Sequence, residues 1–299
     1  MFSGVSAFPL TPLRDDVLDE GAFAALVRRV AASGVDSITV LGSTGSYAYL
    51  SREERRTAVR IAVENAGGVP VFVGIGSLRT SHVRALADDA QEAGAGAVLL
   101  APLTYQAHTP DDVFGLYEDV TRNLSVPLIV YDNPGTTHFT FTDELYGRIA
   151  QLPNVASVKI PGVPADPDAA ADRVAAIRDS IPASVTIGVS GDAAAATGLN
   201  AGCDAWYSVI AGTLPEPALA IARAALGGEA AAATAESDRL APLWALFARF
   251  GSLRVVAAIA EREELVARGC LPLPIRGLDD VARTEVADVI ECLGLHPAR

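Results

Sequence analysis

The sequence predicts an α/β protein of the (β/α)8, or TIM-barrel, class with a C-terminal helical extension. Two observations predict it: eight short β-rich runs alternate with helical stretches at a pitch of about 20 to 30 residues, and a helical tail follows the eighth run. A doubly wound open sheet is the alternative. No Gly-x-Gly-x-x-Gly follows the first run, which counts against a dinucleotide-binding version of that alternative. We expect the barrel to span residues 1–228 and the helical segment 229–299 to pack on the barrel or on a neighbouring subunit.

The eight predicted strands share a short length, a high content of apolar residues and flanking turn residues. They cover residues 5–10, 36–42, 69–75, 96–102, 127–133, 155–160, 184–190 and 203–210. Helical stretches separate them, as expected of parallel strands joined by crossover helices.

Capping residues indicate where several helices begin and end. Ser51 followed by Glu54 fits a capping box at the start of residues 51–65. Thr109 before Pro110 fits an N-cap with proline at the first helical position. In the tail, helical character covers residues 229–249, 252–269 and 279–294, and we expect the second of these stretches to end at Gly269.

The composition argues against several classes of protein. Hydrophobic residues make up 50% of the chain and charged residues 20%, which are values of a globular protein. The net charge of −13 and the pI near 4.7 argue against nucleic-acid and anionic-membrane binding, which need basic patches. No apolar run reaches the roughly 18 residues of a membrane span, and the N-terminus lacks the pattern of a signal peptide.

Cysteine and histidine usage predicts neither a disulfide framework nor a metal site. The three cysteines have no metal-ligand spacing, so we expect a reducing, cytoplasmic location. The histidines are scattered singly along the chain. These residues are Cys203, Cys270, Cys292, His82, His108, His138 and His296.

Lys159 is the only lysine in the chain and lies inside a predicted strand. Because side chains alternate along a strand, Val155, Ser157 and Lys159 share one face, and the opposite face is purely apolar and suits contact with the outer helices. Lys159 is therefore expected inside the barrel, at the C-terminal end of its strand, where barrel enzymes carry their active sites. Burial lowers the pKa of an amine and makes it a nucleophile toward carbonyl groups, which arginine cannot be. An ion-paired structural lysine is the alternative.

Tyr131 lies near the end of the preceding predicted strand. Alternation places it on one face with Ile129 and Asn133, and if that face is inward, Tyr131 lies beside Lys159. A phenol there could move protons during imine formation. A core tyrosine with a satisfied hydroxyl is the alternative.

The second predicted strand leads into the turn Gly42-Ser43-Thr44-Gly45. We expect Gly42 and Gly45 to let the backbone turn sharply, while Ser43 and Thr44 offer hydroxyls and amide N–H groups. Such a turn can bind a carboxylate at the barrel face that carries Lys159.

With these elements in place, the chain resembles the dihydrodipicolinate synthase and N-acetylneuraminate lyase family of Schiff-base-forming barrels. The resemblance covers nearly the whole chain and rests on motifs in a fixed order. These are Phe8-Pro9-Leu10-Thr11-Pro12, Gly42-Ser43-Thr44-Gly45, Tyr131 with Pro134, Lys159, and Ser190-Gly191-Asp192.

The resemblance implies a role for each matching residue. Lys159 would form the Schiff base, Tyr131 would shuttle protons, and Ser43 and Thr44 would bind the 2-oxo acid carboxylate and join the proton relay. It also implies a homo-oligomer, usually a tetramer, with no metal and no organic cofactor, because the lysine imine is itself the electron sink.

Four positions depart from the family pattern. Ser46 stands where the family usually has an acidic residue, and Ile160 likewise follows the lysine in place of one. Thr136 stands where lysine-biosynthetic synthases carry an arginine that grips the second substrate's carboxylate. Tyr105 is displaced from the tyrosine pair of those synthases. The departures therefore affect recognition of the second substrate, not activation of the first.

The sequence thus predicts a lyase or aldolase in which Lys159 forms a Schiff base with pyruvate or a related 2-oxo acid, and a carbon–carbon bond to an aldehyde is made or broken. The alternatives are an authentic lysine-biosynthetic synthase of this family, a sugar-acid dehydratase that uses the same imine, and a non-catalytic 2-oxo-acid sensor. Candidate substrate-binding residues are Thr44, Gly45, Tyr105, Thr136, Ser190 and Asp192, with Asp132 and His138 as further candidates for the pocket wall.

Overall fold

Eight parallel strands close into a barrel in the computed structural model, which describes residues 1–295. In chain order, the strands are β1 (Gly4–Ala7), β2 (Leu13–Arg14), β3 (Val17–Leu18), β4 (Ser37–Val40), β5 (Val71–Gly74), β6 (Ala97–Leu100), β7 (Leu128–Tyr131), β8 (Val155–Ile160), β9 (Thr186–Val189) and β10 (Ala205–Ser208). Strands β4 to β10 follow one another around the barrel, and β1 closes it between β10 and β4. The predicted barrel is confirmed.

The short strands β2 and β3 form an antiparallel hairpin that the sequence analysis did not predict. The two residues between them, Asp15 and Asp16, both have left-handed backbones with φ of 53° and 63°. A two-residue turn of this hand joins antiparallel strands, and aspartate tolerates the conformation better than most residues.

The helices, in chain order, are α1 (Glu20–Ala32), α2 (Arg52–Asn65), α3 (Thr80–Glu92), α4 (Pro110–Thr121), α5 (Pro134–Thr137), α6 (Asp143–Ala150), α7 (Pro167–Ser180), α8 (Ala195–Asn200), α9 (Pro215–Leu226), α10 (Ala230–Arg239), α11 (Ala241–Phe250), α12 (Ser252–Arg262) and α13 (Asp280–Cys292). Both predicted caps are present. The Ser51 hydroxyl accepts from the Glu54 N–H while the Glu54 carboxylate accepts from the Ser51 N–H, and Thr109 forms the same reciprocal pair with Asp112 ahead of Pro110.

Side-chain alternation divides the apolar residues of the barrel into two groups. One group fills the barrel interior and consists of Phe8, Phe72, Ala97, Leu99, Ala101, Ile129, Tyr131 and Tyr207. The other group lies between the strands and the outer helices and includes Val130, Val158 and Ile160. The predicted assignment of faces in β7 and β8 is therefore confirmed.

The C-terminal helices α10 to α13 pack their apolar residues into the outer core of the barrel. Leu240, Leu243, Val255 and Ile259 are each fully or almost fully buried there. The segment predicted at 229–299 extends over residues 296–299, including His296, which lie outside the described residues.

Two predicted boundaries in the tail were wrong. The helix expected to end at Gly269 ends at Arg262, because the chain turns left-handed at Glu264 (φ 56°) and the Leu265 N–H closes back on the Ala260 carbonyl. The stretch 229–249 is two helices, with Leu240 as the break and Pro242 in the first turn of α11.

No single helix among the described residues has the length and apolarity needed to cross a membrane. Only α11 and α12 taken together reach that length and apolarity, and the chain bends by 116° between them.

Candidate active site

Lys159 lies inside the barrel near the C-terminal end of β8, and its side chain is enclosed by aromatic rings. The Nζ atom is 3.8 Å from the ring centre of Tyr131, 5.3 Å from that of Phe8 and 6.0 Å from that of Tyr207. The residue is 4% exposed. Burial lowers the pKa of the Lys159 ammonium, although Tyr131 and the carboxylates of Asp192 and Asp132 oppose this shift.

Tyr131 is the direct neighbour of Lys159 in the register between β7 and β8. Its hydroxyl oxygen is 3.1 Å from the Ser43 hydroxyl and accepts a hydrogen bond of 2.9 Å from the Asn133 amide. Burial raises the pKa of Tyr131, but the charge of Lys159 and the bonds with Ser43 and Asn133 outweigh it, so the net shift is downward. The Tyr131 ring thus lies against the amine, and its hydroxyl is within hydrogen-bond distance of the Ser43 hydroxyl.

The turn after β4 brings Ser43 to Tyr131, but its glycines act differently from the prediction. The left-handed residues are Leu41 (φ 56°) and Ser46 (φ 52°), not Gly42 or Gly45. A Cβ on Gly42 would lie 2.6 Å from the Phe8 ring, and one on Gly45 would lie 2.9 Å from the Leu41 nitrogen. Both glycines therefore permit close packing rather than an unusual backbone angle.

A cavity of about 790 Å³ opens above Lys159 at the C-terminal ends of the strands. Residues from seven of the eight strand–helix loops and from the tail line it. They are Phe8, Ser43, Thr44, Ser46, Tyr47, Ala48, Tyr49, Leu103, Tyr131, Asn133, Thr136, Lys159, Pro161, Gly162, Ser190, Gly191, Asp192, Ala193, Ala194, Tyr207, Val209, Trp244, Phe247, Ala248, Gly251, Ser252, Leu253 and Ile275. The structure thus brings seven of the predicted site residues to one cavity, and their catalytic and binding roles stay predictions. These residues are Lys159, Tyr131, Ser43, Thr44, Thr136, Ser190 and Asp192.

Asp192 lines the cavity, but its carboxylate is occupied by protein donors. It accepts hydrogen bonds from the Trp206 indole (3.1 Å) and from the N–H groups of Val209 (3.0 Å) and Ile210 (2.7 Å). Burial raises its pKa to about 6, against the effect of these donors. Ser190 donates to the Ile160 carbonyl at 2.7 Å. Both residues therefore hold the ends of β8, β9 and β10 together.

Other predicted pocket residues lie elsewhere. Asp132 is buried and contacts Tyr146 on α6, on the outer side of β7. His138 is exposed at the end of α5, and neither residue lines the cavity. Tyr105 is 87% exposed and is not brought to the cavity of its own chain. Gly45 is buried behind the turn and does not line the cavity either.

Several lining residues were not singled out from the sequence. Tyr207 could have been found, because alternation in β10 places it on the inward face, and its hydroxyl is 2.8 Å from that of Ser157. Alternation places Asn133 on the same strand face as Tyr131, but no feature of the sequence predicts its hydrogen bond to the Tyr131 hydroxyl. Trp244 and Phe247 carry no local signal, because only the packing of α11 against the barrel brings them to the cavity.

In the part of the chain that the structure describes, no three His, Cys, Asp or Glu side chains are placed to hold a metal ion. The expected absence of a metal and of an organic cofactor stays a prediction.

A closed eight-stranded barrel with a cavity at the C-terminal ends of its strands defines the TIM-barrel class of enzymes. The sequence model of the Dihydrodipicolinate synthetase family matches residues 1–293. The chain belongs to this family, whose members are lyases, and the predicted family and enzyme class are confirmed.

Named relatives agree with this assignment. The chain is 33% identical to the 4-hydroxy-tetrahydrodipicolinate synthase of Phenylobacterium zucineum, covering 99% of this chain and 98% of the relative. It is 32% identical to the synthase of that name from Methylobacterium radiotolerans, covering 96% and 94%. Among solved structures, a dihydrodipicolinate synthase from Agrobacterium tumefaciens matches with a TM-score of 0.93 and 44% identity over 98% of each chain.

Proposed function

We propose that the protein is an aldolase or lyase in which Lys159 forms a Schiff base with pyruvate or a related 2-oxo acid. The observation that carries the proposal is the burial of the chain's single lysine within a ring of aromatic side chains at the base of the cavity. This burial lowers the pKa of the amine and increases the neutral, nucleophilic fraction at neutral pH.

The proposed chemistry proceeds through an imine and an enamine. The neutral amine adds to the ketone carbon, and the resulting carbinolamine gains a proton on oxygen and loses water to give the imine. Loss of a proton from the adjacent carbon gives the enamine, which adds to the carbonyl carbon of an aldehyde. Water then hydrolyses the imine and releases Lys159. Cleavage is the same sequence in reverse.

Tyr131 and Ser43 are the proposed proton carriers for these steps. The Tyr131 ring lies against Nζ, and its hydroxyl is within hydrogen-bond distance of Ser43, which faces the cavity. A phenol whose pKa is lowered can both give and accept a proton near neutral pH more readily than an ordinary tyrosine.

The turn after β4 is the proposed site for the 2-oxo acid carboxylate. Ser43 and Thr44 line the cavity there, and Gly45 is the next residue. Thr136 and Ser190 line other parts of the cavity and are proposed to contact the remainder of the substrate. We propose that Asp192 acts by holding the surrounding loops.

Reductive trapping tests the imine. The protein is incubated with pyruvate and borohydride, and mass spectrometry is expected to find one adduct, on Lys159, that is lost in Lys159→Arg. With no other lysine in the chain, the α-amino group is the only competing amine. Absence of an adduct with pyruvate and with a panel of 2-oxo acids, in a folded protein, refutes the proposal.

Tyr131→Phe tests the proton path. Because general acid–base catalysis contributes about 10²- to 10⁴-fold, we expect the trapping rate to fall by about that factor while the fold persists. Tyr117→Phe is the matched control: Tyr117 is equally buried, but its hydroxyl donates to the Leu100 carbonyl away from the cavity. Equal rates in both variants would remove Tyr131 from the mechanism.

A second candidate function is authentic 4-hydroxy-tetrahydrodipicolinate synthase, which the names of the relatives favour. Thr136 occupies a helix at the cavity wall where an arginine is expected in such synthases. Steady turnover of aspartate semialdehyde with pyruvate would favour this second function over the first.

We also propose that the protein works as a homo-oligomer in the cytoplasm on small molecules, without nucleic acid or a membrane as partner. The exposed rings of Tyr49 and Tyr105, 52% and 87% exposed, support a contact with a second copy. Sedimentation of the purified protein measures the oligomeric state.

A further inference from the structure

The barrel loops and the tail contribute chemically different groups to the cavity above Lys159. The barrel loops carry its hydroxyl and amide groups, from Ser43, Thr44, Ser46, Asn133 and Thr136. Two of these residues, Ser43 and Asn133, form the hydrogen bonds with the Tyr131 hydroxyl. The barrel loops therefore have the polar groups that a 2-oxo acid and its imine need.

The tail contributes an apolar wall to the cavity. This wall consists of Trp244, Phe247, Leu253 and Ile275, and Ser252 is the one hydroxyl that the tail adds to the lining. The Trp244 and Phe247 rings lie 5.6 Å apart. The Trp244 indole N–H donates to the Ser237 carbonyl at 3.0 Å, and Ser237 does not line the cavity. The polar atom of Trp244 is therefore already satisfied, and the wall offers carbon surface.

Charged groups are scarce in the cavity. Among the described residues that line the cavity, Lys159 is the only lysine, arginine or histidine and Asp192 is the only aspartate or glutamate. The Asp192 carboxylate is held by three protein donors. Arg254 is near the mouth, with Nη1 3.9 Å from where a Cβ on Gly251 would stand, but it does not line the cavity. A carboxylate on the second substrate would have no lining cation besides the lysine that forms the imine.

The size of the cavity also exceeds what a three-carbon acid requires. Its volume of about 790 Å³ is within the range of about 300–1,000 Å³ that holds drug-sized ligands. Much of it remains for the second substrate after pyruvate is attached, and that space is bordered by the apolar wall.

We propose that the second substrate is an aldehyde whose carbonyl carbon bears an apolar group of aromatic size, which packs against Trp244, Phe247 and Leu253. This inference rests on the imine chemistry proposed above and names the substrate class for it. The enamine carbon bonds to the aldehyde carbon, the aldehyde oxygen takes up a proton, and hydrolysis of the imine releases a 4-hydroxy-2-oxo acid with the apolar group at C4.

A competition among aldehydes tests the substrate class. With pyruvate held constant, kcat/KM is measured by mass spectrometry of the product for benzaldehyde, succinic semialdehyde and glyceraldehyde. We expect benzaldehyde to exceed the carboxylated and hydroxylated aldehydes by about tenfold or more, since apolar pockets commonly discriminate by that much. Equal or greater turnover of either polar aldehyde, or no turnover of any, overturns the inference. Loss of pyruvate trapping instead identifies failure of the imine chemistry itself.

Paired variants on α11 locate the specificity. Phe247→Ala removes a lining ring and is expected to lower kcat/KM for benzaldehyde by about tenfold, mainly through KM, and Phe247→Leu by less. Phe250→Ala is the matched control, since Phe250 is on the same helix but does not line the cavity. Thermal unfolding of each variant shows that the fold is retained. The same loss of kcat/KM in Phe250→Ala, or no loss in Phe247→Ala, contradicts the assignment. Turnover of succinic semialdehyde that depends on Arg254 would also contradict it.

Discussion

Tyr131 and Asp132 are consecutive residues that face opposite sides of the barrel wall and have opposite surroundings. Tyr131 points inward to Lys159, whereas Asp132 points outward to the Tyr146 hydroxyl on α6. One oxygen of the Asp132 carboxyl has no hydrogen-bond partner among the described residues. Burial raises the pKa of Asp132 to about 6 from its ordinary 3.8, despite the opposing effect of Tyr146 and Lys159.

The pKa of Asp132 predicts a specific dependence of stability on pH. Because the folded state holds this proton more tightly than the unfolded state, the contribution of Asp132 to stability is fully present below pH 3.8 and is lost as pH rises through 6. A rise of about two pKa units corresponds to about 3 kcal/mol. We expect the free energy of unfolding of the wild type, relative to Asp132→Asn, to fall by up to this amount between pH 4 and pH 7.5.

Urea unfolding of both proteins at the two pH values measures this difference. Subtracting the variant removes the titration of the other carboxyl groups. A difference that grows with pH would show that Asp132 is held in its charged form.

Side-chain alternation allowed the faces of β7 and β8 to be predicted, and therefore the meeting of Lys159 with Tyr131. The same rule places Asp132 on the outer face of β7. The prediction that Asp132 lines the pocket was therefore inconsistent with side-chain alternation. The hydrogen bond from Asn133 could not be predicted, because this residue lies just beyond β7, where the strand period no longer applies.

At the scale of elements, the turn between β4 and α2 is fixed by close contacts with β5. The Leu41 carbonyl points at Gly74, the last residue of β5, where a Cβ would lie 1.8 Å from the carbonyl oxygen. Arg55 on α2 is buried and donates to the carbonyls of Gly74 (2.8 Å) and Gly76 (3.0 Å). Burial lowers the pKa of Arg55 to about 10. The position of Ser43 therefore depends on packing between three elements.

Gly74→Ala is expected to displace this turn and to destabilise the protein by about 3 kcal/mol, since no flexible side chain is present to absorb overpacking against the backbone. Gly115→Ala is the matched control: Gly115 lies inside α4 with open space around it. Its replacement should stabilise the helix by about 1 kcal/mol. Chemical denaturation of the two variants gives both values, and similar behaviour of the two would contradict the packing argument.

Helix starts were predictable where the signal is local, and helix ends were less so. Ser51 with Glu54 and Thr109 with Pro110 are short-range patterns whose hydrogen bonds lie within one turn. The end of α12 is set by a left-handed Glu264, a residue type that gives no warning of this conformation. The left-handed turn at Leu41 is equally hard to predict, since it depends on the space that Gly74 leaves in another strand.

At the scale of the whole molecule, the tail and the barrel share one apolar core. Residues of α11 and α12 belong to the same buried cluster as the outer faces of β7 and β8. We therefore propose that residue 228 separates the barrel from the helical tail in architecture, and that the two parts unfold together. The two tryptophans of the chain lie on its two sides: Trp206 in β10 and Trp244 in α11.

This arrangement predicts a single unfolding transition for barrel and tail. In Trp206→Phe, the remaining fluorescence reports the tail, and in Trp244→Phe it reports the barrel. Within each variant, the fluorescence and far-UV circular dichroism midpoints in urea are expected to coincide. A tail signal that is lost at lower urea than the circular dichroism would show that the helices after residue 228 unfold separately.

The solitary position of Lys159 also affects how copies of this protein can be joined chemically. With its one lysine 4% exposed inside the barrel, the chain offers amine-directed cross-linkers and fixatives no accessible lysine side chain. Reagents such as glutaraldehyde are left with the α-amino group as their one exposed amine, so we expect them to link an assembly poorly and to understate its size on a denaturing gel. Carboxyl-directed reagents, for which the acidic surface provides many attachment points, are the appropriate choice for capturing its neighbours.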